Sequence, residues 1–234
     1  HTPTRRQRQM CIRDSYNTGP NPMKVALFLE ETGLEYEAIP VDSRNGDQHR
    51  PEYKALNPNA KAPTLVDGET VVFDSNAILL YLARKTGRYL PPDASEGEML
   101  SWLMFVATGI GPYSGQSVHF RHHAPEQLDY AIKRYMFEAR RHYQILNDRL
   151  AEAPYMAGGA YSIVDMAVWG WARLLPIVLG PEVLAEMPAL KRLMDEINAR
   201  PAAQRAEAIK ERFTFKTEMD EAARRNMFPS AFAG

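Results

Sequence analysis

Cysteine is almost missing from this chain: Cys11 is the only one in 234 residues. One thiol excludes an internal disulfide framework and a zinc–thiolate cluster, and it suits a reducing, cytoplasmic setting. Also missing is any apolar run near the ~20 residues that a membrane helix needs, so no membrane partner is expected. Charge bias is absent as well. With 28 basic against 29 acidic residues and a net charge of −1, no global field draws the chain to nucleic acid. What remains is ordinary for a globular protein, 45% apolar and 24% charged, with length for one large domain or two small ones.

Residues 1–15, HTPTRRQRQMCIRDS, do not read like the rest. They hold four arginines, no apolar period and no apolar core of a secretory signal. An Arg-rich transit peptide is one reading. The stretch looks more like translated sequencing-adapter read-through, and it is expected to be a non-native leader. The first strand of the domain should fall here, so Cys11 to Tyr16 would have to stand in for it.

The most informative stretch runs from Asn57 to Ala77. Lys61-Ala62-Pro63 precedes a short β-rich segment, Thr64 to Val66. Asp67-Gly68 then marks a tight hairpin turn, and Thr70 to Phe73 is the return strand. Asp74-Ser75 opens a helix with apolar positions at Ala77, Ile78, Tyr81 and Leu82, closed by Gly87. Pro63 lacks a ladder N–H and must lie where no donor is needed. If Ala62-Pro63 is cis, the Ala62 backbone is left to pair with an extended, peptide-like ligand. The helix start at Ser75 would offer N–H groups to a carboxylate. A plain hairpin with a Ser/Asp-capped helix accounts for the same residues equally well.

The second informative stretch is Tyr16 to Lys24. Asn21 before Pro22 reads as a helix N-cap, with helix from Met23 to Thr32 and Gly33 at its end. A thiolate placed beside Asn21 would meet an amide donor and the positive end of the helix dipole. Such surroundings lower a thiol's pKa from near 8.5. Glu35 to Val41 follows as a strand. The polar segment Gly46 to Tyr53 reads as a solvated linker.

After Pro91-Pro92-Asp93 the pattern is helical throughout. Gly109, Gly111 and Pro112 interrupt or kink the first of these helices. His119 and His122 have ligand spacing if helical, but no Glu or Cys stands at a zinc-site spacing beside them, so no metal is expected. Pro125-Glu126 starts a long helix whose stripe through Tyr143, Leu146 and Leu150 is core, leaving Arg134 off it. Ser162-Ile-Val-Asp165 is a capping box that needs no catalytic role.

Asn-Pro-x-x-Lys-x-Pro-x-Leu followed by Asp-Ser-x-Ala-Ile-x-x-Tyr-Leu resembles the glutathione site of the cytosolic glutathione transferases. Pro20-Asn21-x-x-Lys24-Val25 is similar to a segment of the bacterial nu-class, or disulfide-bond-reductase-like, members. The resemblance implies an α/β thioredoxin-like N-terminal domain followed by an all-α C-terminal domain. Its divisions would be a leader 1–15, a glutathione-binding domain 16–88, a linker 89–96, a helical domain 97–210 and a tail 211–234. It implies that Ala62, beside Lys61, pairs with the cysteinyl backbone of glutathione and that Asp74-Ser75 holds the γ-glutamyl end. Asn21 would hold the sulfur, with Thr18 substituting for a family Thr whose position Gly19 occupies. Gln48 and Arg134 would touch glutathione too. Glutathione is then the co-substrate, a small disulfide, peroxide or electrophile the second substrate, and a homodimer the expected assembly. Disulfide or peroxide reduction leads; conjugation to an electrophile, or glutathione binding without catalysis, are the alternatives.

Overall fold

The computed structural model describes residues 12–92 and 94–232. Most of the leader, residues 1–11, lies outside the described residues, as does Asp93 of the expected linker. Contacts divide the chain into two units. One holds the residues up to Leu82 together with those from Pro201 onward; the other is Ala83–Arg200.

The first unit is built on β1 (Ile12–Tyr16), α1 (Pro20–Thr32), β2 (Tyr36–Pro40), α2 (Pro51–Leu56), β3 (Thr64–Asp67), β4 (Thr70–Phe73) and the start of α3 (Ser75–Thr86). The sheet order is β2-β1-β3-β4, with β1 parallel to β2 and antiparallel to β3. This is the thioredoxin-like arrangement that the sequence predicts. Gly33 ends α1 in the left-handed region at φ 66°, its N–H bonded to the Leu29 carbonyl, because a residue without Cβ takes that conformation without strain. Hairpin register is fixed by Asp67 opposite Thr70 and Leu65 opposite Val72. Where a solvated linker is expected, a short 3₁₀ turn at Asp47–His49 leads into α2. Pro51 starts that helix, since its fixed φ suits the first turn.

Part of the stretch read as foreign supplies β1, the strand between β2 and β3. Asp14 lies opposite Ala38 and Leu65, fully buried. Among the described residues neither carboxylate oxygen has a hydrogen-bond partner, and burial pushes its pKa up to about 8.

The C-terminal residues join this unit through α10 (Pro201–Ala208), which packs along α1, and α11 (Glu221–Met227). Arg205 ties the two together by bonding the Glu30 carboxylate and carbonyl. Residues 201–210 therefore belong by their contacts to the first unit, whereas helical character alone groups them with the second.

The second unit is all-helical: α4 (Glu96–Phe105), α5 (Gly111–His122), α6 (Asp129–Glu152), α7 (Ile163–Ala172), α8 (Leu175–Val178) and α9 (Pro188–Asn198). The break expected at Gly109 and Gly111 is instead a π-helical turn, Val106–Ile110, joining α4 to α5 without interruption. Close packing explains both glycines. A Cβ on Gly109 would lie 2.4 Å from the His142 ring, and one on Gly111 3.2 Å from Trp171 Nε1. Helix α6 begins at Asp129 instead of Pro125, because Ala124 still bonds back to the His119 carbonyl and closes α5. Its buried stripe is Ala139, Tyr143, Leu146 and Leu150, as the periodicity predicts.

The capping box opens α7. Ser162 Oγ accepts from the Val164 N–H, while Asp165 accepts from the Ser162 N–H and the Met156 N–H. Replacing Ser162 with Ala should lower unfolding free energy by roughly 0.5–2 kcal/mol, read by urea denaturation, and should leave turnover unchanged. No helix among the described residues is long and apolar enough to cross a membrane.

Candidate functional site

A groove of ≈ 510 Å³ opens in the first unit, a size that suits a small organic ligand. Its walls come from the loop after β1, the segment around Asp42 to His49, the loop before β3 and the C-terminal residues. Thr18, Asn21, Gln48, Lys61 and Ala62 all line it. These five candidates lie far apart in sequence, and the fold brings them to one cavity.

The loop before β3 is held from below. Asn57 Nδ2 and the Tyr53 hydroxyl both donate to the Lys61 carbonyl, at 2.6 and 3.1 Å, and Asn57 Nδ2 also donates to Thr64 Oγ1. Ala60 sits at φ 52°, and Ala62-Pro63 is cis. Polar side chains thus set the path on which Ala62 faces the groove, and Pro63 is buried behind it.

Asn21 is not the N-cap of α1. That place belongs to Gly19, and Pro20 opens the helix. Asn17 does the local work, its Oδ1 accepting from the Gly19 N–H at 2.8 Å. A Cβ on residue 19 would meet that oxygen at 2.8 Å, so a threonine there would displace the Asn17 side chain. Thr18 is exposed at the groove rim.

One turn into α1, Asn21 Oδ1 accepts from the Ser75 hydroxyl at 3.3 Å. Ser75 is buried and does not line the groove itself. Asp74, at φ 72°, uses Oδ1 to accept from the Asn76 and Ala77 N–H groups and so caps α3. Arg134 is exposed on α6 of the second unit.

Gln48 is buried, and its amide is engaged by the chain itself. Nε2 donates to the carbonyls of Ser43 and Asn226, and His49 Nε2 meets the same Asn226 carbonyl at 2.8 Å. Asn226 in turn donates to the Arg44 carbonyl. Arg44 donates to the Lys216 carbonyl, and the Lys216 N–H donates to Asp42. The C-terminal residues therefore form one wall of the groove, while the Phe213 and Phe215 rings lie tilted against Tyr16. The sequence carries no recognisable motif here, because this wall is made mainly by backbone carbonyls. Around the groove Arg44, Lys61 and Lys216 outnumber the acid Asp42, which favours an anionic ligand.

Sequence reasoning includes Lys24 in the resembling segment but assigns it no role. This lysine is 1% exposed and donates to Ser75 Oγ at 3.2 Å and Asn76 Oδ1 at 3.1 Å. Burial lowers its pKa to about 7, against the field of Asp74, which raises it. Its position in a helix with an apolar pattern hid its role; i, i+3 spacing from Asn21 was the available signal. On α5, His122 faces the Ile177 carbonyl. Among the described residues no group of three or more His, Cys, Asp or Glu could hold a metal ion.

The description "Glutathione S-transferase, N-terminal domain" matches residues 15–84, and "Glutathione S-transferase, C-terminal domain" matches 105–201. The chain is 43% identical over 195 residues to disulfide-bond oxidoreductase YfcG of Escherichia coli, covering 80% of this chain and 90% of that protein. It is 37% identical over 214 residues to disulfide-bond oxidoreductase YghU of the same organism, covering 83% and 73%. A solved glutathione transferase of Burkholderia graminis, with two glutathione molecules bound per subunit, aligns with TM-score 0.80 at 34% identity, covering 87% of this chain and 90% of that one. One from Pseudomonas putida, with one glutathione disulfide per subunit, aligns with TM-score 0.78 at 34% identity, covering 84% and 90%. With both domain descriptions matched in order on a thioredoxin-like unit and a helical unit, the chain belongs to the glutathione S-transferase family.

Proposed function

We propose that this protein is a glutathione-dependent thiol/disulfide oxidoreductase or peroxidase, with disulfide reduction the leading activity. The observation that carries the reading is the meeting of Asn21 and Ala62 in one groove, with Ser75 a single hydrogen bond behind Asn21. Glutathione lies along the Ala62 backbone beside Lys61. Its sulfur rests at Asn21 near Thr18, and its γ-glutamyl end at Asp74 and Ser75. Gln48 presents a buried Oε1 without a partner among the described residues, an acceptor suited to an ammonium or amide N–H. The cationic lining suits a ligand with two carboxylates.

In the reaction, the glutathione thiolate attacks one sulfur of a disulfide. A glutathione mixed disulfide forms, and the other sulfur leaves as a thiolate that takes up a proton. A second glutathione thiolate then attacks the glutathione sulfur of that mixed disulfide, giving glutathione disulfide and the second free thiol. One disulfide is reduced and two glutathiones are oxidised. No cysteine of the protein is needed, which agrees with a chain holding only Cys11. The names of the two Escherichia coli relatives, and the two glutathiones or one glutathione disulfide in the solved relatives, support reduction over conjugation. The protein acts in the cytoplasm as a homodimer.

Turnover compared on a glutathione mixed disulfide and on a chloronitrobenzene tests this choice. The disulfide should give a kcat/KM about tenfold higher or more. Dominance of the chloronitrobenzene would make the protein a conjugating transferase, and binding of glutathione without turnover of either would make it a binding module.

A further inference from the structure

Lys24 has no role in the reading above, yet it holds the polar chain that ends at Asn21. An ammonium has donors only. Ser75 Oγ accepts from Lys24 Nζ, so the single proton of that hydroxyl must point elsewhere, and it points to Asn21 Oδ1. A second lysine bond, to Asn76 Oδ1, pins the ammonium to the start of α3. With Oδ1 occupied, any contact that Asn21 makes with an anion in the groove comes through its N–H₂ group. Direction thus passes along three residues: lysine donates to serine, and serine donates to the asparagine carbonyl oxygen.

We propose that Lys24 is a positioning residue for the reaction: its ammonium orients the Ser75 hydroxyl, which locks Asn21 so that its N–H₂ group meets the glutathione sulfur. This rests on the reading of Asn21 as the group that holds the thiolate. A stability role explains Lys24 poorly. Taking a charge out of water is costly, and an apolar residue of similar volume would pack in its place at little or no loss. The burial that lowers its pKa to about 7 is the sign of that cost. Asp74 is the acid whose field acts on it. The charges lining the groove, Asp42, Arg44, Lys61 and Lys216, and the His49 ring beside them, act on the sulfur independently and are unchanged in the variants below.

The thiol pKa of bound glutathione, read from the ultraviolet absorbance of its thiolate at saturating glutathione, provides the test. It is measured in the full-length protein and in Lys24→Met, Asn21→Ala and the double variant. Lys24→Met should raise the thiol pKa by about one unit while leaving the melting temperature equal or higher. In the Asn21→Ala background the same change should add nothing, because the lysine acts through the asparagine. If Lys24→Met does not fold, Ser75→Ala cuts the chain in its middle and should give the same rise and the same non-additivity. An equal rise in both backgrounds would show a plain field effect and overturn the proposal, as would no rise at all. Should the parent's bound thiol titrate at its free value and Asn21→Ala change nothing, the reading of Asn21 falls and this one with it. A rise for Asn21→Ala without one for Lys24→Met sinks the lysine alone.

Discussion

Replacing Asp14 with Val should raise the melting temperature by on the order of 10 °C, from a gain of roughly 3 kcal/mol or more. The acid is fully buried in β1, with both oxygens unpartnered among the described residues. Its pKa rises from 3.8 to about 8 on folding, so the folded state holds the proton that the unfolded state has released. The destabilisation is absent below the unfolded value, grows as pH climbs between the two values, and levels off above the folded one. Near pH 7 the linkage amounts to on the order of 4 kcal/mol. Urea denaturation from about pH 4 to about pH 8 should show stability falling with pH in the parent, a fall that Asp14→Val should greatly reduce. A parent whose stability is flat over that range, or a valine variant that melts lower, would refute the assignment. Valine also suits the site locally, since β-branched residues fit a strand between two neighbours.

Replacing Asn21 with Ala should lower kcat/KM for disulfide reduction by about 10- to 100-fold, the worth of one hydrogen bond to a charged atom. The loss should be largest at neutral pH and shrink in alkaline solution, where glutathione ionises without help. Steady-state rates across pH check this directly. A uniform loss at every pH would mean that Asn21 only shapes the pocket. Unchanged rates would remove it from the chemistry.

Both predictions depend on side chains that the sequence exposes unequally. The hairpin, the cis-proline loop and the capping box are legible because each rests on local chemistry: Gly68 for the turn, Pro63 before the strand, Ser162 and Asp165 around one helix start. The candidates Asn21, Gln48, Lys61 and Ala62 become legible through resemblance, and the fold gathers them in one groove. Three things were hidden, each for a physical reason. The cap of α1 passed from Asn21 to Gly19 because Pro20, not Pro22, takes the first turn. The π-helical turn at Val106–Ile110 holds Gly109 close against His142, with Gly111 beside Trp171, a packing that no local pattern encodes. The wall contributed by Lys216 and Asn226 depends on backbone carbonyls meeting Arg44, Gln48 and His49. Such bonds leave no signature in residue type.

Helix α10 lies along α1 and Arg205 clasps Glu30, which changes what a minimal fragment of this protein is. The helical unit is an insertion between two pieces of the other, so a stop codon after Leu82 would strip α1 of its covering. A self-sufficient excised version would need residue 82 rejoined by a designed bridge to residue 201.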